Sequence, residues 1–258
     1  NLYFFFVKYI FPLCLLKPID FTLKFSFDVE KKLYCVESSK SKSGYYYNIE
    51  RSNRYIFGGL EGIGKKLHEK YQLEKVKISK GDIVIDIGCN IGELTYFLSK
   101  FNPTIYACDI EQKAIDCIKL NCLSNKKIII EKLAIWNQEG QLDFESKVNQ
   151  ASSTLLKPNV INSDVNIQKI KSVTLDTFFE QKNIKRAKLV KVEAEGGEPE
   201  ILEGASKSLK NIEFISIDCG PERYGKTTFD EVIKILRGNN YDIKIFKDCC
   251  LGINRSIN

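Results

Sequence analysis

Residues 84–100 read VIDIGCNIGELTYFLSK. A short apolar run meets Asp86, glycines follow at 88 and 92, and a helical pattern then continues to Lys100. This change of period marks a strand that turns tightly into a helix. In open α/β sheets, ligands sit beyond the carboxyl ends of such strands. Gly88 and Gly92 predict a backbone that approaches a ligand with no side chain in between, and the start of the helix offers free N–H groups. Asp109 closes the next strand, 21 residues after Gly88. An acid at about that distance suits the hydroxyls of an adenosine ribose, although Asp also caps helices well. Together the signals predict a nucleoside pocket, with Cys89, Asn90 and Ile110 beside them in the cofactor-binding wall.

The spacing also limits which nucleoside. A dinucleotide fingerprint carries G-x-G-x-x-G against a pyrophosphate, whereas this chain has Asp86-x-Gly88-x-x-x-Gly92. A carboxylate before the turn would repel a pyrophosphate and would suit a ligand bearing an ammonium and a sulfonium. S-adenosylmethionine is such a ligand. No Lys-Ser/Thr pair follows the glycines, so the phosphate-cradling P-loop is excluded.

Outward from this segment, strands and helices alternate. Strands are predicted at 83–88, 104–108, 127–135, 189–197, 213–220 and 241–246, with helices at 63–71, 92–100, 112–123, 175–181 and 229–237 and another in PEILEGASKSL, from Pro199. Such alternation predicts a parallel sheet covered on both faces. Residues 137–172 interrupt it as an insert, with a short edge strand at 140–146 and polar, turn-rich stretches after it. Residues 1–54 form an N-terminal extension. Its start, NLYFFFVKYIFPLCLL, is broken by Lys8 and Pro12 and falls short of a spanning helix. That start is expected to pack on the core, with membrane contact as the alternative.

The net charge of +6 arises from 39 Lys and Arg against 33 Asp and Glu. The lysines are scattered among acids, so no nucleic-acid stripe is predicted. Nine cysteines without paired spacing fit neither a disulfide framework nor a metal site, and a reducing, cytoplasmic setting suits them.

Four segments together resemble the FkbM-type methyltransferases, a branch of the class I S-adenosylmethionine-dependent enzymes. They are GDIVIDIGCNIGELT (81–95), IYACDIEQKAI (105–115), SVTLDTFF (172–179) and LVKVEAEGGEPEILEGA (189–205). In the last, Lys191, Glu193, Glu195, Gly196, Glu200, Leu202 and Gly204 match the family in type or position, with Glu193 where aspartate is more usual. Ser152 and Ser153 resemble the family's serine pair. The resemblance implies a Rossmann-like, doubly wound, mostly parallel seven-stranded sheet with one antiparallel strand. It also implies O-methylation, often of sugars in glycans, glycolipids or secondary metabolites. RNA, another small molecule, or a non-catalytic nucleoside-binding scaffold are the alternatives.

A hydroxyl is a poor nucleophile until its proton is removed, so a general base is expected. The candidates at strand ends are Glu193, Glu195 and Asp218, with Glu193 and Glu195 expected on one face by strand alternation. Glu222 and Arg223 are predicted to line the acceptor side, Arg223 holding an anionic group. Pairing of the two glutamates with Lys191 or another lysine is the purely structural alternative.

Overall fold

The computed structural model describes residues 22–37, 39, 43–146, 153–155 and 166–257. The apolar start at 1–16 and Ser152 lie outside the described residues.

The opening segment forms the middle of the main sheet. Strand β4 (Ile83–Ile87) follows an N-terminal three-stranded antiparallel sheet of β1 (Lys24–Asp28), β2 (Leu33–Glu37) and β3 (Gly44–Tyr46). Next come β5 (Thr104–Asp109), β6 (Ile128–Lys132), β7 (Ala134–Ile135), β8 (Gly140–Glu145) and β9 (Ile167–Val173). The chain ends through β10 (Ala187–Val192), β11 (Ile212–Asp218), β12 (Tyr241–Phe246) and β13 (Cys249–Asn254). The main sheet has seven strands in the order β12-β13-β11-β10-β4-β5-β6. β13 runs antiparallel to both neighbours, and the other pairings are parallel. β4 lies between β10 and β5, where the order reverses, so its carboxyl end opens at the ligand-binding position of such sheets.

Strand alternation divides the core between two helical layers. Val84 and Leu189 face Leu94, Leu98 and Tyr71, beneath α1 (Gly59–Lys70) and α2 (Glu93–Leu98). Ile85, Val190 and Ile215 face the other side, against α4 (Leu175–Gln181), α5 (Glu198–Glu203) and α6 (Phe229–Gly238). A further helix, α3 (Gln112–Asn121), covers β5 with Ile118, which packs on Ala107 and Cys89.

The sheet is the one the family resemblance implies, but its seventh strand is not the expected one. The strand predicted at 140–146 is β8, which joins β7 and β9 in a separate small sheet. The main sheet is completed instead by β13, CCLGIN, whose cysteines and glycine conceal its strand character. The predicted 127–135 strand divides after Lys132, because Ala134 and Ile135 turn away to pair with Ser172 and Val173.

The extension shares a core with the sheet domain. Leu23, Tyr46, Leu60, Ile91 and Cys117 form one buried cluster. Asn121, fully buried on α3, accepts from the Tyr45 N–H at 2.7 Å and donates to the Tyr45 carbonyl (3.0 Å) and the Ile91 carbonyl (2.9 Å). One amide thereby ties β3 to the glycine turn.

Candidate functional site

A cavity of ≈ 400 Å³ opens over the carboxyl ends of β4, β5 and β10. Six carboxylates line it (Asp86, Glu93, Asp109, Glu111, Glu193, Glu195) against four cations, Arg51, Arg54, Lys70 and Lys191. In a chain of net charge +6, this acid-rich wall favours a cationic ligand.

The glycines earn their positions differently from the sequence expectation. Gly88 has φ +69°, and a Cβ there would lie 1.9 Å from the Glu193 carbonyl oxygen. Gly92 has φ +85°, and its Cβ would lie 2.5 Å from Ile118. Both let the turn press against the protein's own atoms. Gly88 still lines the cavity, with Cys89, Asn90 and Ile110, while Gly92 lies behind them.

Asp86 also differs from expectation. It is fully buried, accepts from the Thr95 hydroxyl at 2.6 Å, and lies 3.2 Å from Lys191 Nζ. Its charge is neutralised within the chain. Lys191 donates further to the carbonyls of Ile87 (3.1 Å) and Gly88 (2.8 Å) and lies 3.3 Å from Glu193. Burial opposes its charge, but Asp86 and Glu193 outweigh that and hold its pKa above the ordinary lysine value. A line of alternating charges thus crosses the strand ends. Lys70, from the end of α1, lies 3.8 Å from Glu193 and 2.5 Å from Asp218.

Asp109 accepts from the backbone N–H groups of Asn90 (2.7 Å) and Glu111 (2.9 Å), which fixes the carboxylate at the cavity wall. Burial raises its pKa to about 6 despite these bonds. No cation lies within 4 Å of it among the described residues. A half-buried, cation-free carboxylate suits hydroxyl donors. Glu111, buried beside it, accepts from Ser146 (2.6 Å) and Ser153 (3.0 Å). Cavity size, acidic wall and this carboxylate fit a nucleoside cofactor carrying positive charge.

Glu193 and Glu195 both line the cavity, but from the turn beyond β10, which ends at Val192, so strand alternation does not govern them. Their electrostatics diverge. Burial would raise Glu193, but Lys191, Lys70 and a hydrogen bond from Tyr71 lower it to about 2. Burial raises Glu195, reinforced by Glu193, Glu222 and Glu198, to about 7. Glu195 also has φ +50°, a left-handed conformation costly for a side-chain-bearing residue. The buried carboxylate of Glu198 holds this turn, accepting from the N–H groups of Ala194 (3.0 Å) and Gly196 (3.2 Å).

The other expected residues lie outside the cavity wall. Asp218 is engaged by Lys70 and the Gly220 N–H. Glu222 folds back on Gly220. Arg223 is bound to both Glu200 oxygens (2.9 and 2.7 Å) and to the Gly196 carbonyl (2.7 Å), so its guanidinium braces the Glu195 turn. Sequence reasoning missed Arg51, Arg54, Lys70, Tyr71 and Trp136 as cavity residues. None belongs to a motif, and the fold alone brings them together. Among the described residues no group of His, Cys, Asp and Glu is arranged to hold a metal ion, and no helix is long and apolar enough to cross a membrane.

The model of the methyltransferase FkbM domain matches residues 86–243. No curated protein matches the sequence. Similar solved structures include magnesium protoporphyrin IX methyltransferase from Synechocystis PCC 6803 with bound SAM, at 12% identity over 78% of this chain and 83% of that one, TM-score 0.46. Another is the fibrillarin pre-rRNA processing protein of Methanococcus jannaschii, at 13% identity over 90% and 97%, TM-score 0.46. A third is M. capricolum TrmK in complex with S-adenosyl-homocysteine, at 18% identity over 74% and 67%, TM-score 0.42.

Proposed function

Because the chain belongs to the FkbM methyltransferase family, we propose that it methylates a hydroxyl of a sugar, glycan or glycolipid, with Glu195 as the general base. It is an S-adenosylmethionine-dependent methyltransferase. When bound, this cofactor supplies an electrophilic methyl group on a sulfonium.

The residues around the cavity divide the remaining work. Asp109 accepts the ribose hydroxyls, and the turn at Gly88, Cys89 and Asn90 carries the rest of the nucleoside. The acceptor hydroxyl would lie against Glu195 and give its proton to that carboxylate as its oxygen takes the methyl group, the methyl–sulfur bond breaking and the sulfur leaving as a neutral thioether. Alignment of oxygen and methyl group supplies much of the acceleration. Glu193 keeps its charge beside Lys191 and Lys70 and anchors a second acceptor hydroxyl. A proton on Glu193 near neutral pH would require a carboxyl far more basic than one held near 2.

The observation that carries this reading is the contrast within one turn, where Glu195 sits near 7 beside a Glu193 held near 2. A catalytic base works best with a pKa near the operating pH. The test is transfer of labelled methyl to a panel of neutral and acidic glycans, alongside calorimetry with S-adenosylmethionine and NAD. Labelled sugar with donor binding supports the reading. Binding of NAD in place of the methyl donor, or label only on RNA, contradicts it.

A further inference from the structure

The cavity's roof comes from the extension, as a 3₁₀ helix at Ile49–Phe57. Such a helix has three residues per turn, so side chains at i and i+3 align. Ser52 and Tyr55 share one buried stripe, where Tyr46 and Ser52 hydroxyls lie 2.7 Å apart and Tyr55 donates to Glu93 at 3.0 Å. The neighbouring stripe, Arg51 and Arg54, lines the cavity. The inward side of the roof is therefore cationic by construction.

Three of the four cavity cations have carboxylate partners in the chain. Lys191 lies against Asp86 and Glu193, Lys70 against Asp218, and Arg54 at 3.6 Å from Glu93. Arg51 has no carboxylate within 4 Å among the described residues. Its field acts on the Glu195 carboxylate and on the Tyr47 hydroxyl, and Tyr47 donates to Asn90 at 3.4 Å. It shares the cavity wall with residues of the Glu195 turn and the Gly88 turn. A guanidinium in a half-enclosed cavity gains most from a planar oxyanion that accepts two parallel N–H bonds.

We propose that Arg51 anchors an oxyanion of one of the two substrates, a carboxylate or phosphate that enters the cavity with its ligand. This rests on the donor-and-acceptor reading of the cavity. The anion has two sources, the carboxylate of the donor's methionyl arm or an acidic group on the acceptor. In both cases Arg51 acts by binding, and Lys at the same position keeps the charge while losing the fork.

The experiment is calorimetry on the whole chain and on Arg51→Ala and Arg51→Lys, with S-adenosylhomocysteine and with 5′-methylthioadenosine, which lacks the amino-acid arm. Titration of the S-adenosylhomocysteine complex with glucose, glucuronate and glucose 6-phosphate follows. If the donor supplies the anion, Arg51→Ala weakens S-adenosylhomocysteine by about 10–100-fold, leaves methylthioadenosine unchanged, and Arg51→Lys recovers part of the loss. If the acceptor supplies it, S-adenosylhomocysteine binding is unchanged. The complex then takes an acidic sugar in preference to glucose, and Arg51→Ala loses that preference. S-adenosylhomocysteine affinity within twofold in Arg51→Ala, with no acidic-sugar preference lost, overturns the proposal. Failure of the unmodified chain to bind S-adenosylhomocysteine overturns the donor reading beneath it and is distinguishable from both. Because Arg51 pairs with no carboxylate among the described residues, an unchanged melting temperature in Arg51→Ala separates these effects from misfolding.

Discussion

Two turns stand side by side at the sheet's carboxyl edge, one after β4 and one after β10, on strands paired in register from Ile85 with Val190 to Ile87 with Val192. In the first, every left-handed position is held by a residue that tolerates it, Gly88, Asn90 or Gly92. Its acid, Asp86, is neutralised by Lys191 and Thr95. In the second, Glu195 and Gly196 are both left-handed, so one such position falls on a residue with a side chain, and the Glu195 carboxyl is raised to about 7. The first turn holds its acid neutralised, and the second holds, in left-handed backbone, the carboxylate proposed as the base. Left-handed backbone and a raised carboxyl coincide at Glu195, and that coincidence motivates its proposed role as base.

The contrast breaks most severely if Glu195 loses its proton-accepting form. Glu195→Gln is expected to reduce turnover at saturating donor by about 100–10,000-fold. In the unmodified chain the base is active only when deprotonated, so the rate falls about tenfold per pH unit below about 7 and levels off above it. The residual Gln rate is expected to be flat across the same window, as a stopped-time methyl-transfer assay would read. A pH profile unchanged by the substitution removes Glu195 from the chemistry.

The first turn breaks next. Lys191→Met leaves Asp86 buried without its counter-charge, and a loss of about 3–5 kcal/mol is expected in urea unfolding. Asp86→Asn combined with Lys191→Met removes both charges and is expected to recover part of the loss. A single variant as stable as the parent would show that the pair does not hold the turn. Smaller still, Asp109→Ala is expected to weaken donor binding by about 1–3 kcal/mol.

Much of the first turn was legible in the sequence because its logic is local. Gly88, Gly92 and Asp109 are set by backbone conformation and by spacing along one β-α-β unit, and the structure places the turn at the switch point as predicted. The reason for the glycines was not legible, since the Glu193 carbonyl and Ile118 approach them from distant segments. The second turn was half legible. Its two glutamates could be named, but their opposite pKa directions depend on Lys70 and Tyr71 at the end of α1, Lys191 on β10, and Glu222 in a later loop. Arg223 was assigned to a ligand because nothing in the sequence announces Glu200 as its partner. Arg51 and Arg54 carry no motif, and their i, i+3 alignment appears only once Ile49–Phe57 is known to be helical.

The smallest effect sharpens the contrast from the other side. Glu195→Gly removes a side chain from a left-handed position and is expected to stabilise the fold by about 0.5–1 kcal/mol while turnover is lost. Destabilisation in thermal unfolding would mean that the Glu195 conformation carries no strain.

Donor affinity in Glu195→Gln beside Asp109→Ala, measured by calorimetry with S-adenosylhomocysteine, tests the division of labour most directly. The account predicts that Glu195→Gln binds within twofold of the parent while Asp109→Ala binds about 10–100-fold more weakly. A loss in Glu195→Gln equal to or greater than that in Asp109→Ala would contradict it.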